Sequence, residues 1–358
     1  MSEYELSKKE ADSLTAWFDK NKRDLPWRGT GDPYDVWLSE IMLQQTRVEA
    51  VKEKFIQFRR ELPDIISLSE VSDDRLMKLW EGMGYYSRAR NLKKCAGELR
   101  DLYGGVLPSS FEELIRLSGI GPYTAGAIAS IAYGNPVPAV DGNVLRVLAR
   151  LFEDATDIRS GRAKKNCGEI ICSFYRKNPG LGADYISSFT QALMELGALV
   201  CVPNGQPHCE ACPWNSVCRA HLNNTAGRIP YRSALKGRRI EERTLLIIRD
   251  EDRFLLRKRP ESGLLAGLYE FAGYDGFLSR AQIIEETEKL GFSALHIRRL
   301  PDSRHIFTHL EWHMHAFEIM VADIDSVPDG LLLTKKELAE FAVPSAFSKY
   351  ISYYSLKD

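Results

Sequence analysis

From Ser7 to about Leu222 apolar residues recur every three to four positions, the spacing of one face of an α-helix. Leu14, Trp17 and Phe18 share such a face in the first segment. The same spacing predicts helices over residues 34–43, 48–61, 72–80, 88–102, 110–117, 122–133, 143–152 and 185–199. Some starts are marked by local chemistry. Ser110 with Glu113 has the form of a capping box, and Pro122 suits a first helical position. No solenoid-type repeat is visible.

Beyond about residue 244 the period falls to two. Residues 244–248 and 254–258 flank Asp250-Glu251-Asp252, which predicts a hairpin. His313, His315, Phe317 and Ile319 alternate with Met314, Ala316, Glu318 and Met320, as in a strand. Residues 281–290 and 335–341 have helical spacing. Between the two regimes, residues 228–243 hold six basic and two acidic residues with little apolar content. The stretch reads either as a solvated connector or as a basic segment lying near phosphates. The predicted organisation is a mainly helical domain over 1–224, a linker over 225–243 and a smaller α+β domain over 244–358.

Length agrees, because 358 residues exceed what one ordinary core holds. The composition, 44% apolar and 27% charged, is that of a soluble globular protein. No apolar run is long enough to span a bilayer, and the polar start MSEYELSKKEADSL is no signal peptide. The expected setting is therefore a reducing, cytoplasmic one without membrane contact. A net charge of −1 does not announce a nucleic-acid binder. Any contact with DNA must use a local basic surface or backbone amides.

Four of the seven cysteines change the picture. Cys201, Cys209, Cys212 and Cys218 follow the pattern Cys-x7-Cys-x2-Cys-x5-Cys. In a reducing compartment such a cluster reads as a metal site before a disulfide set. A zinc ribbon shows two close pairs; here only one is close, which favours a [4Fe–4S] cluster. His208 adjoins Cys209 and is a second-shell or surface group on the simpler reading.

Three further segments carry candidate chemistry. In LSGIGPYTAGAI, residues 117–128, Gly119 and Gly121 bracket a tight turn between helices and expose N–H groups suited to a phosphate; an ordinary connector is the alternative. Asp141, before the helix over 143–152, is either a helix cap or a carboxylate aimed into a cleft. Glu40 lies among Leu38, Ile41, Met42 and Leu43. It is either a surface residue of an amphipathic helix or a buried acid whose raised pKa lets it carry a proton at neutral pH. One protonated and one ionised acid is the division of labour of glycosidic cleavage.

Taken in order, DPYDVWLSEIMLQQT, GMGYYSRARNL, LSGIGPYTAGAI, VDGNVLRVLAR and the cysteine cluster resemble the adenine DNA glycosylases of the MutY family. The resemblance implies a helix-hairpin-helix glycosylase fold with an iron–sulfur lobe and a Nudix-like C-terminal domain. It further implies a monofunctional, bacterial, monomeric enzyme that removes adenine paired with 8-oxoguanine or guanine in double-stranded DNA. Glu40 then matches the proton donor and Asp141 the stabiliser of the sugar cation, with Asn143 as partner of Asp141 or of its water. Tyr123 stands where strand-cutting relatives carry a lysine nucleophile. Trp27, Arg28, Leu43, Val48 and Gln191 match the adenine pocket. Gln45, Thr46 and Tyr85, with Gly119 and Gly121, match DNA contacts. Phe307, Thr308 and His309, in HIFTHLEWH, match the 8-oxoguanine reader, with Thr308 where many members have serine. The clustered acids of Nudix hydrolases are absent; Glu285, Glu286 and Glu288 lack the full spacing, so no pyrophosphatase activity is expected. The first cysteine loop is one residue longer than the family's. Counting from Cys201 selects His208 and counting back from Cys218 selects Cys209; a one-residue loop insertion is thermodynamically mild, so Cys209 is the expected ligand. A pyrimidine-specific lyase of the same fold and a non-catalytic damage sensor are the competing functions.

Overall fold

The computed structural model describes residues 4–234, 237–322, 324, 330–338 and 340–355. The outer ends of both predicted domains, residues 235–236 of the predicted linker and residue 339 of the helix predicted over 335–341 lie outside the described residues. The chain forms two compact units. One comprises Met1–Glu70 with Asn91–Ala234, and the other Val71–Arg90 with Leu235–Asp358.

The helices run α1 (Lys8–Asn21), α2 (Pro33–Leu43), α3 (Val48–Glu61), α4 (Ile65–Glu70), α5 (Asp73–Trp80) and α6 (Ser87–Tyr103). There follow α7 (Phe111–Leu114), α8 (Pro122–Ala127), α9 (Gly142–Phe152), α10 (Gly161–Lys177), α11 (Ala183–Leu199) and α12 (Arg219–Leu222). Helix α1 starts at the Ser7–Glu10 capping box, and its Leu14 and Phe18 enter a core shared with α9, α10 and α11. Asp32 caps α2 and Pro33 opens it. Residues Tyr34 to Met42 of α2 are all buried, so Glu40 does not sit on an amphipathic surface helix. A helix apolar all round belongs in an interior, and α2 runs through one.

Two departures from the periodicity are informative. The helix predicted over 122–133 divides into α8 and a π-helical turn, Ile128–Ala132. Helix α10 is not announced by the apolar pattern. Its buried Ala163, Cys167, Ile170 and Phe174 do share a face, but Arg162, Lys164 and Lys165 crowd its first turn.

In the second unit the strands are β1 (Arg239–Asp250), β2 (Arg253–Lys258), β3 (Tyr269–Glu270), β4 (Ala272–Asp275), β5 (Ala294–Arg299), β6 (Ser303–Ile306), β7 (Leu310–Val321) and β8 (Gly330–Thr334). They form one mixed sheet with the spine β3-β2-β1-β7-β5, in which β1 and β7 are parallel. Leu245 and Ile247 of β1 enter one core while Leu246 and Ile248 enter another on the opposite face. Burial on both faces explains why this strand reads as a continuous apolar run. Helices α13 (Arg280–Lys289), α14 (Lys335–Leu338) and α15 (Ser348–Ser355), with α5 from the Val71–Arg90 segment, also belong to this unit. The linker predicted over 225–243 is mostly structured. Residues 225–234 group with the helical unit, where Ile158 N–H donates to Tyr231 O at 3.1 Å, and β1 begins at Arg239. Among the described residues no helix is long and apolar enough to cross a membrane.

Candidate active site

Within the first unit α2, α8, α9 and α11 frame a cleft of about 730 Å³. Glu40, Tyr123, Asp141 and Asn143 line it, as do Trp27, Arg28, Leu43, Gln45, Thr46, Val48 and Gln191. Residues 27 to 191 in sequence thus meet in one cavity.

Glu40 is 8% exposed. Burial pushes its carboxyl up to about 7. The hydrogen bond from Tyr123 opposes the shift, the Asp141 charge reinforces it, and Arg28 opposes it more weakly. The Tyr123 hydroxyl donates to Glu40 Oε2, and burial beside two acids drives the phenol well above its ordinary value, so it remains a donor. Asp141 is both things the sequence allows. It caps α9 through Oδ1, which accepts from Val144 N–H at 2.7 Å, and it also lines the cleft. Its Oδ2 accepts from the Asn143 amide at 2.7 Å. Burial raises the Asp141 pKa, while the Val144 and Asn143 donors hold the ionised form. Asn143 Oδ1 in turn accepts from Arg146 at 2.8 Å.

Glu195 is a cleft residue that sequence reasoning missed. It is 1% exposed and binds Arg23 at 2.7 Å and Arg28 at 2.8 Å. Burial alone would raise its pKa, but hydrogen bonds from Arg23 and then Arg28 outweigh that and hold the carboxyl at about 2. The available signal was its place four residues after Gln191, on the same face of α11. Glu195→Gln should cost about 2–3 kcal/mol in urea denaturation, a discounted figure because Arg23 is 30% exposed. A depressed carboxyl stabilises above its unfolded pKa of about 4.3 and ceases to as pH falls toward about 2, so the cost should shrink in acid. An unchanged midpoint at neutral pH would refute the role.

The hairpin joins α7 to α8. Gly119 has φ +76°, and a Cβ there would lie 2.7 Å from the Asn91 Cβ. Glu98 fastens the turn by accepting from Ser118 N–H at 2.8 Å and from its hydroxyl. Gly121 differs: φ is −91°, and an added Cβ meets nothing within 4 Å. The fold therefore needs glycine at 119 and not at 121. Gly119→Ala should lower both stability and DNA affinity. Gly121→Ala should leave stability within about 0.5 kcal/mol yet weaken binding of undamaged duplex. Wild-type affinity in the second variant would remove the phosphate-docking role.

Gln45 and Tyr85 share an uncommon backbone, with φ 57° and 48°. Non-glycine residues held there are costly and cluster at functional sites. Tyr85 belongs to the second unit and is 45% exposed. Its hydroxyl lies 2.7 Å from that of Thr308. Thr308 and His309 are exposed in the turn between β6 and β7. Phe307 is half-buried and packs edge-on against Trp312, with centroids 4.9 Å apart.

Cys201, Cys209, Cys212 and Cys218 are free thiols lining one pocket between α9, α11 and α12. Cys209 lines it and His208 does not; His208 N–H donates to Val200 O at 2.9 Å. Among the described residues no three His, Cys, Asp or Glu side chains converge as the ligands of a single ion must.

Residues 38–171 match the HhH-GPD superfamily base excision DNA repair protein family, and residues 243–353 match the NUDIX domain family. The adenine DNA glycosylase of Homo sapiens is 32% identical over 406 residues, spanning 96% of this chain and 73% of that protein. That of Buchnera aphidicola subsp. Baizongia pistaciae is 33% identical, spanning 87% of this chain and 86% of its own. Among solved structures, a thermostable thymine-DNA glycosylase shares 26% identity at a TM-score of 0.54, over 60% of this chain and 96% of that one. An endonuclease III trapped on DNA, 22% identical with a TM-score of 0.50 over 61% of this chain and 99% of that one, shares the fold.

Proposed function

Since the chain belongs to the adenine DNA glycosylase family, we propose the following substrate, mechanism and cofactor for a DNA glycosylase of base excision repair. The substrate is adenine opposite 8-oxoguanine, extruded from the duplex into the cleft. The carrying observation is the meeting, in one cavity, of a Glu40 poised near neutral pH and an Asp141 held by two N–H donors.

Glu40 gives its proton to a ring nitrogen of adenine. The glycosidic bond breaks with its electron pair passing to the base, and the Asp141 carboxylate stabilises the sugar cation left behind. A water adds to the anomeric carbon, and its proton restores Glu40. Tyr123 orients Glu40 by its hydrogen bond and, being a phenol, forms no Schiff base, so the enzyme is monofunctional. Trp27, Arg28, Leu43, Val48 and Gln191 enclose the base. Gln45, Thr46 and Tyr85 enter or flank the opened stack, and the Gly119–Gly121 turn docks phosphate. Phe307, Thr308 and His309 read 8-oxoguanine, with the Thr308 hydroxyl, paired with that of Tyr85 in the free protein, turning to a base edge.

The four cysteines would hold one [4Fe–4S] cluster. Four thiols lining one pocket, only two of them close in sequence, support a cluster over a zinc ribbon. When bound, its iron–thiolate bonds tie the loop over 201–218 together; no step of the bond cleavage needs it.

Single-turnover base release from 8-oxoguanine:adenine and guanine:adenine duplexes tests this reading. Wild type should prefer the former. Replacing Phe307 and Thr308 together by alanine should shrink the preference by about tenfold or more, as loss of a base contact worth ~1–3 kcal/mol implies. Unchanged discrimination removes the reader role, and strong borohydride capture of an abasic duplex removes the hydrolytic one.

A further inference from the structure

Arg150 sits on α9, facing the pocket that the four cysteines line, and is 5% exposed. Its Nε donates to Ile229 O at 2.8 Å, and Nη1 donates to Val202 O at 3.0 Å and to Cys201 Sγ at 3.3 Å. Among the described residues no carboxylate lies within ion-pair distance of it. Arg146, one turn earlier and 4% exposed, donates to the Gly142, Gly197 and Cys201 carbonyls and to Asn143, so it shares with Arg150 the fixing of Cys201. Two buried guanidinium groups on neighbouring turns of one helix repel each other. Carbonyl oxygens compensate a buried cation only in part. The protein elsewhere shows the usual solution, since Arg23 and Arg28 share the Glu195 carboxylate. Around Arg150 the place of that carboxylate is taken by the Cys201 thiol and two carbonyls.

Resting on the cluster reading above, we infer that Arg150 is a positioning residue for the cluster: it holds Cys201 and supplies the buried positive charge that balances an anionic iron–sulfur group. A [4Fe–4S]²⁺ core with four thiolates carries a net charge of about −2. The cation beside Cys201 Sγ stabilises each added electron, so it raises the reduction potential. The same bonds to Val202 O and Ile229 O fix the segment that follows Cys201 and the segment beyond α12 against α9. Loss of the cluster would leave Arg150 buried and uncompensated, which couples cluster retention to the packing of this end of the unit.

The test uses the full-length holoprotein, with iron content, visible absorption and a redox titration as readouts. Arg150→Gln should shift the reduction equilibrium at least about tenfold toward the oxidised form, about 59 mV more negative for a one-electron couple. It should also lose iron to a chelator several-fold faster. Arg150→Lys keeps the charge and should restore most of the potential, an effect that a merely structural role would not give. If Arg150→Gln does not accumulate as folded protein, Arg150→Lys decides alone. An equilibrium within about threefold of wild type supports the assignment, and a tenfold shift overturns it. Colourless, iron-free wild type overturns the cluster reading and this inference together. Iron-loaded wild type with an unshifted Arg150→Gln overturns this inference only.

Discussion

Glu40→Gln should reduce single-turnover adenine release by about 10²- to 10⁴-fold, the usual contribution of a positioned general acid. Binding of the mispaired duplex should stay within a few-fold of wild type. Glutamine is close to isosteric, and its carbonyl oxygen can still accept from Tyr123, so the interior of α2 is not disturbed. What it cannot do is give up a proton to a departing base. The wild-type pH profile carries the same information. An acid active when protonated, with its pKa pushed up to about 7, gives a rate that is flat below that value. Above it the rate falls tenfold per unit. The measurement is single-turnover excision between roughly pH 5 and pH 9, with affinity followed separately. Full activity in Glu40→Gln, or a wild-type rate with no descending limb near neutrality, would remove Glu40 from the chemistry.

That pKa is a balance, and part of the balance lies in residues the linear pattern did not single out. A free guanidinium at Arg28 would pull Glu40 down toward ordinary acidity, and Arg28 does act in that direction. Its charge is shared instead with Glu195, which takes two hydrogen bonds from Arg28 and three from Arg23. The cleft thus holds a cation beside Glu40 while limiting the charge its carboxyl feels.

Features encoded within a few residues were legible in the sequence. Ser110 and Pro122 mark helix starts because capping and proline geometry are local. Gly119 marks the hairpin because only glycine takes that backbone without meeting Asn91. Glu40 stood out because a carboxylate inside an apolar run has to be either exposed or perturbed. The Glu195 network was not legible, since its partners are 172 and 167 residues away and each looks like an ordinary surface charge. Nor was the grouping of Val71–Arg90 with the C-terminal unit, which depends on contacts such as Tyr85 with Thr308 rather than on periodicity. Helix α10 was lost because its basic first turn masks a sound apolar face.

Asp141→Asn should separate chemistry from stability. The asparagine oxygen can still accept from Val144 N–H, so α9 keeps its cap, and the loss on that account should be below about 1 kcal/mol. The other carboxylate oxygen becomes an NH₂ group facing the Asn143 amide, donor against donor, and the negative charge is gone. A sugar cation in the cleft then meets a dipole where it should meet an anion. Base release should fall by about 10²- to 10³-fold, the scale on which removal of one preorganised electrostatic partner is felt. Asp141→Ala loses cap and charge together and should unfold at lower denaturant as well. Urea denaturation and single-turnover excision on both variants therefore distinguish two accounts. If Asp141 were only a helix cap, Asp141→Asn would be close to wild type in both measurements and Asp141→Ala would lose activity only in proportion to stability. If it steadies the cation, Asp141→Asn is folded, binds DNA and releases adenine about 10²- to 10³-fold more slowly.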